Sequence, residues 1–243
     1  MSPRERIEQE VSISLMADMT LEEMSQLEAK VEEQTGQSAL VVGTGGIGVY
    51  PTMIMRTSSL DWVINTIAHE WTHNYLTLRV LGLNYETTPE LRTMNETTAS
   101  IAGNEIGQAV IRLYYPELVA AKSQSGKKFA PILDDAFDFN AEMHLTRIRV
   151  DGLLEEGRID EAEEYMEQRR QVFVNNGYLI RKLNQAYFAF YGAYADSPVG
   201  AAGEDPVGEA VRALRTKSGA LAEFLRAMGK MNSYEDLLKA AGN

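Results

Sequence analysis

The stretch Ser58-Ser59-Leu60-Asp61-Trp62-Val63-Ile64-Asn65-Thr66-Ile67-Ala68-His69-Glu70-Trp71-Thr72-His73 decides how this chain is read. Ser58 with Asp61 is a capping-box pattern, and Gly82 is a plausible C-cap, so one helix is predicted over about 59–81. Leu60, Val63, Ile64 and Ile67 precede the histidines at helical spacing, and Leu76 and Val80 follow them, which predicts a half-buried helix. His69 and His73 then share one face, one turn apart. Two imidazoles so placed can each direct a nitrogen at one tetrahedral metal ion. The chain has only three histidines, and two of them are here. Glu70 is turned about 100° around the helix from His69. From there it addresses a water beside the metal rather than the metal itself. Zinc lowers the pKa of such a water to about 7, and a carboxylate can take its proton as it attacks a carbonyl. The alternative is a helix with two surface histidines that bind nothing.

A zinc hydrolase usually has three protein ligands and a water. A third histidine six residues past the second is absent, since Arg79 stands there, with Leu76 at the usual intervening glycine. His144 is the only other histidine. A carboxylate from a following helix is the other solution, with Glu86, Glu90, Glu96 and Glu105 as candidates. Glu96 is preferred. It lies in the first turn of a helix expected over about 94–115, and Thr97, Thr98, Ala99, Ser100, Ala102 and Gly103 behind it are small. Small residues let two helices approach until a glutamate arm reaches the metal. Glu105 is the second choice. The other reading of Glu96 is an acid serving the helix dipole.

His69-Glu70-x-x-His73 followed by Asn95-Glu96-x-x-Ala99 resembles the gluzincin metallopeptidases, the group that includes thermolysin and many zinc aminopeptidases. The resemblance covers about residues 58–105. It implies a zincin-like α+β fold, mostly helical, with a small sheet beside the motif helix and a helical C-terminal portion. It implies one Zn2+ per chain on His69, His73 and Glu96, with Glu70 as general base and acid and a peptide or protein as substrate. An aminopeptidase-like activity is included in that expectation. A cleft-lining strand is expected just before the motif helix, where Val49 to Met55 lies. There are two departures. Residues 74–95 make a gap of 22, longer than in the best-known members. Ser100 stands where thermolysin-like enzymes carry an aspartate that supports a ligand histidine, so another group must orient that ring.

Enzymes of this kind add a tyrosine or histidine donor for the developing oxyanion. Tyr187, Tyr191 and Tyr194 fall on one face of a helix expected over 178–195, with Tyr191 or Tyr187 the preferred donor. The competing reading is an aromatic core stripe. His144, near Glu142 and Arg147, reads first as a surface or satisfied histidine and second as a donor. Arg181 reads as a structural ion pair before a substrate anchor. Met53 and Met55 read as core or cleft-lining residues.

Elsewhere, Ile7, Val11, Leu15 and Met16 keep a helical spacing, and Thr20 with Glu23 starts a second helix that Gly36 ends. Residues 39–57 read as a small hairpin or sheet edge, Pro51 favouring an edge. Gly43 to Gly48 lacks the spacing of a dinucleotide fingerprint. A loop is expected around Ser123 to Lys128 and Pro131, then helices over 139–155, 159–174 and 178–195, and two short ones at the end. Leu153 to Ala162 resembles the turn of a tetratricopeptide unit but occurs once, so it reads as a helical hairpin. Residues 1–243 are taken as one zincin-like domain: 1–57 N-terminal helices and edge strands, 58–116 metal-binding helices, 117–243 the helical C-terminal portion.

The net charge of −12 argues against nucleic acid as a partner, because phosphate binding needs a basic stripe and Lys127-Lys128 is the longest basic cluster. The absence of cysteine excludes disulfides and cysteine-held metal. No signal peptide or membrane-length apolar run is seen, so the expectation is a soluble chain with no membrane insertion. The cytoplasm is its default compartment, and it is compatible with being a fragment of a longer protein. Beside the metallopeptidase stands a zinc-binding helical module without proteolysis. Glu70 discriminates between them, since a structural site has no need of it and usually carries a fourth protein ligand.

Overall fold

The computed structural model describes residues 1–16, 18–119, 137–197, 200–203 and 205–242. They are mostly helical, with one small antiparallel sheet of two strands. In chain order the elements are α1 (Leu21–Thr35), β1 (Gly46–Ile47), β2 (Met53–Ile54), α2 (Leu60–Leu76), α3 (Val80–Leu83) and α4 (Pro89–Tyr114). They continue with α5 (Phe139–Glu155), α6 (Ile159–Asn175), α7 (Gln185–Tyr191), α8 (Pro206–Lys217), α9 (Leu221–Met228) and α10 (Tyr234–Ala241). The chain divides into two compact units, residues 1–43, 131–192 and 198–204 in the first, and 44–130, 193–197 and 205–243 in the second. The loop expected around Ser123 to Pro131, with Lys127-Lys128, lies outside the described residues.

In the first unit, α1 begins where the capping box predicts. The Thr20 side chain accepts from Glu23 N–H, and the Glu23 carboxylate accepts from Thr20 N–H. Gly36 ends the helix at φ 66°, a left-handed conformation that glycine adopts without strain. Among the described residues, the helix expected from the spacing of Ile7, Val11, Leu15 and Met16 is absent. Ser2 and Ser38 exchange backbone hydrogen bonds of 2.9 and 2.8 Å, and the Ser2 hydroxyl accepts from Glu8 N–H, which holds this segment extended. Val11, Ile13, Leu15 and Met16 are exposed, so no buried face is there to stabilise a helix. The α5 and α6 pair is the expected helical hairpin, turned at Gly157 with φ 72°. Met143, Val150, Met166, Phe173 and Phe188 are fully buried in this unit's core. Arg181 forks the buried Glu28 carboxylate at 2.8 and 2.6 Å, while Val41 N–H donates to it at 2.6 Å. Arg181 is thus a structural ion-pair residue. The helix expected over 178–195 shrinks to α7, because Asn184 caps it by accepting from Tyr187 N–H.

The hairpin at 39–57 is realised in the second unit as β1 and β2, with Ile47 opposite Met53. It lies along α2. A Cβ on Gly45 would stand 2.9 Å from the Trp62 ring, and one on Gly46 would stand 2.5 Å from Glu70 Oε1. The glycines at 45 and 46 are therefore required by close packing on the motif helix. That helix is shorter than predicted. Ser59, not Ser58, is its N-cap, and it stops at Leu76 rather than near 81. Arg79 N–H closes a turn onto Leu76 O at 2.8 Å, and α3 follows. Gly82 is not its C-cap. It is pressed against the end of α2, where a Cβ would meet Leu76 O at 2.0 Å.

The next helix begins earlier than predicted. Thr88 caps α4, and Pro89 is its first residue, where a missing N–H costs nothing. Glu96 consequently sits two turns inside the helix and not in its first turn, and it is buried. The close approach read from the small residues is present. A Cβ on Gly103 would stand 2.8 Å from Asn65 O and 3.1 Å from His69 Cβ, and one on Gly107 would stand 1.6 Å from Asn65 Oδ1. Three helices rather than two close the unit, α8 to α10, each bringing buried apolar residues (Val211, Phe224 and Leu237 among them) onto Leu76, Leu91 and Met94. Among the described residues no helix is long and apolar enough to cross a membrane.

Two outcomes follow from this packing. Gly103→Ala raises intrinsic helix propensity by about 1 kcal/mol, but its methyl meets backbone on α2 and forces α4 away. The clash wins: a net loss of about 1–3 kcal/mol, read as a lower urea midpoint with an unchanged slope. For Glu28, burial works to raise its pKa, and Arg181, Val41 N–H and Lys182 outweigh that and hold it below 4.5. A carboxylate lowered on folding stabilises above its unfolded pKa, and that contribution fades as pH falls through the folded value. The gap in Tm between the wild type and Glu28→Gln is therefore widest near neutrality and closes as the pH falls below 4.5.

Candidate metal centre

The capped helix α2 presents His69 and His73 with their rings 4.7 Å apart and edge to face. Their Nε2 atoms face each other at 3.0 Å. From α4, Glu96 Oε2 lies 3.5 Å from His69 Nε2 and 3.3 Å from His73 Nε2. Among the described residues these three form a group whose ligand atoms all lie within 4.8 Å of one another. A tetrahedral ion with bonds of about 2.0–2.1 Å needs donor atoms about 3.3 Å apart, and the three separations bracket that spacing. Glu96 Oε2 is buried and has no directed hydrogen bond. An orphaned buried carboxylate oxygen is costly, and three acceptors aimed at one point repel unless a cation lies among them. The donor set therefore fits a metal ion.

The surrounding groups hold the ligands in that attitude. His73 Nδ1–H donates to Asn95 Oδ1 at 2.9 Å, which leaves the Nε2 lone pair pointing at the cluster. His69 Nδ1 lies 3.4 Å from Ser100 Oγ, so Ser100 itself stands beside this ring, contrary to the expectation that another group must orient it. The Tyr85 hydroxyl donates to Glu96 Oε1. Tyr194 stacks on the His69 ring at 6.2 Å with 25° between the planes.

The charges are finely set. Burial works to raise the Glu96 pKa, but the facing imidazoles of His69 and His73 hold it well below the ordinary range, so this carboxyl is ionised. Burial disfavours a charge on His73, and Glu96 more than offsets it and raises that pKa. Glu70 is raised, chiefly by burial, with the Glu96 charge adding to it and the two histidines opposing. Its carboxylate lies under the hairpin, where a Cβ on Gly48 would stand 3.1 Å from Oε2. Tyr85 and Tyr194 are both raised, first by burial and then by Glu96, so both remain hydroxyl donors.

The other candidates are placed elsewhere. Glu105 is forked by Arg215 at 2.6 and 2.8 Å, and Glu86 and Glu90 are exposed. Tyr187 belongs to the first unit's core and donates to Ala201 O at 3.0 Å, with Tyr191 packed beside it. His144 backs onto Gly203, where φ is 81° and a Cβ would stand 2.7 Å from His144 N. Of the three tyrosines read on one face, Tyr194 is the one beside a ligand. Tyr85 was missed, and nothing in its local sequence marks it: it lies in a loop, eleven residues before its partner.

No protein family, curated protein or solved structure matches the chain.

The cluster predicts which carboxylate matters. Glu96→Gln lowers bound divalent metal from one ion per chain to well below that, measured by elemental analysis after gel filtration. Glu105→Gln, which loses only its pairing with Arg215, keeps the ion. Equal metal in both proteins would remove Glu96 from the site.

Proposed function

We propose that the chain is a zinc-dependent metallopeptidase of the gluzincin kind, with a zincin-like second unit. The observation that carries this reading is the convergence of His69 Nε2, His73 Nε2 and Glu96 Oε2, with the buried Glu70 one residue from the first ligand. Zinc suits two imidazoles and a carboxylate, and three protein ligands leave a fourth position open. Bound there, it supplies Lewis acidity that lowers the pKa of water to about 7 and polarises a carbonyl.

The chain's own residues supply the rest. Glu70 takes a proton from the attacking water and returns it to the amide nitrogen as the C–N bond breaks. Its raised pKa brings the acid and base forms closer in energy, which suits a group that must do both. Tyr194, on the His69 ring, is the tyrosine that offers a hydroxyl to the developing oxyanion. Asn95 and Ser100 keep the two imidazoles aimed.

Glu70→Gln separates catalysis from metal holding. It keeps the side chain's size and forfeits proton transfer. The fold and zinc content stay at wild-type level, and cleavage of a broad mixture of unstructured peptides falls by a factor on the order of 10² or more. Undiminished cleavage would sink the mechanism. Zinc binding with no cleavage by the wild type would favour the non-proteolytic zinc module.

A further inference from the structure

Glu96 has two carboxylate oxygens, and only Oε2 faces the histidines. Oε1 accepts from the Tyr85 hydroxyl. Tyr85 belongs to neither ligand helix. It lies between α3 and α4, where its N–H donates to Gly82 O at 3.3 Å. Gly82 is in turn wedged against Leu76 O at the end of α2, so the early stop of the motif helix brings this tyrosine back to the cluster. Its ring stands edge-on to His73 at 6.2 Å. Arg92 is buried one turn before Glu96 on α4, and its charge acts on the same phenol. A phenol has one proton to give, and this one goes to Glu96 Oε1.

We propose that Tyr85 is a positioning residue that withholds Glu96 Oε1 and leaves Oε2 as the single ligand oxygen. A carboxylate free to turn offers both oxygens to one ion, and the second would add a protein oxygen beside the three ligands and the water of a hydrolytic zinc site. The hydroxyl thus keeps the site three-coordinate in protein atoms. This inference rests on the metal-site reading above.

Tyr85→Phe keeps the ring against His73 and removes the clamp. Two readouts are used on zinc-loaded protein: affinity by chelator competition, and the oxygen count at bonding distance from zinc K-edge absorption. The expected result is zinc held about 10–100-fold more weakly, with one more oxygen at bonding distance. Tyr234→Phe, in the apolar core of the same unit, changes neither readout. Unchanged affinity in Tyr85→Phe, or weaker binding with an unchanged oxygen count, overturns the clamp. A wild type that binds no zinc removes the metal site and the clamp together, whereas a loaded wild type with an indifferent Tyr85→Phe removes the clamp alone.

Discussion

The approach of α4 to α2 over Gly103 and Gly107 sets where every other group of the site can lie. Helices commonly pack with axes 8–10 Å apart, at a distance fixed by the side chains between them. Here the side chains are absent at two positions one turn apart, and Ala99 continues the same line. Each glycine inside a helix costs about 1 kcal/mol in intrinsic propensity, so α4 accepts roughly 2 kcal/mol to come this close. The next stripe on α4 carries Arg92, Glu96 and Ser100 at successive turns. All three are consequently held at the level of the histidines. A glutamate arm is short, and without the glycine seam it would not reach.

Within that seam the electrostatics are unbalanced in the protein alone. Glu70 and Glu96 are both buried and in each other's field. Arg92 brings one compensating charge, felt at Tyr85. The lone pairs of two imidazoles and the orphaned Glu96 oxygen add negative potential at one point. A divalent cation there satisfies the repulsion and the orphan at once. The hairpin completes the enclosure by laying glycine backbone over Glu70, which keeps that carboxyl out of bulk water and raises its pKa.

Much of this was legible in the sequence, for identifiable reasons. The His69 and His73 pair is a consequence of helical period, and the small residues after Glu96 announce a close helix contact whatever the fold around them. The capping box at Thr20 is a local signal that the structure bears out, and the hairpin expected within residues 39–57 narrows to Gly46–Ile47 paired with Met53–Ile54. Signals that need a tertiary partner were misread. Of the apolar spacing Ile7, Val11, Leu15 and Met16, Ile7 packs on the core and the other three are exposed, while Ser2 pairs with Ser38. The second helix, expected from about residue 94, opens at Pro89, which puts Glu96 in its interior rather than in its first turn. Tyr187 and Tyr191 share a helical face with Tyr194, yet α7 ends before Tyr194, so periodicity could not say which of them meets His69. Tyr85 depends on a turn after α2 that no propensity encodes.

The most direct test is an anomalous diffraction experiment on crystals of zinc-loaded protein, with data on both sides of the zinc edge. The expected map has one strong peak per chain, at about 2.0–2.2 Å from His69 Nε2, His73 Nε2 and Glu96 Oε2, with no fourth protein atom at bonding distance. A peak elsewhere, no peak, or a fourth protein ligand closing the site would contradict a hydrolytic zinc centre.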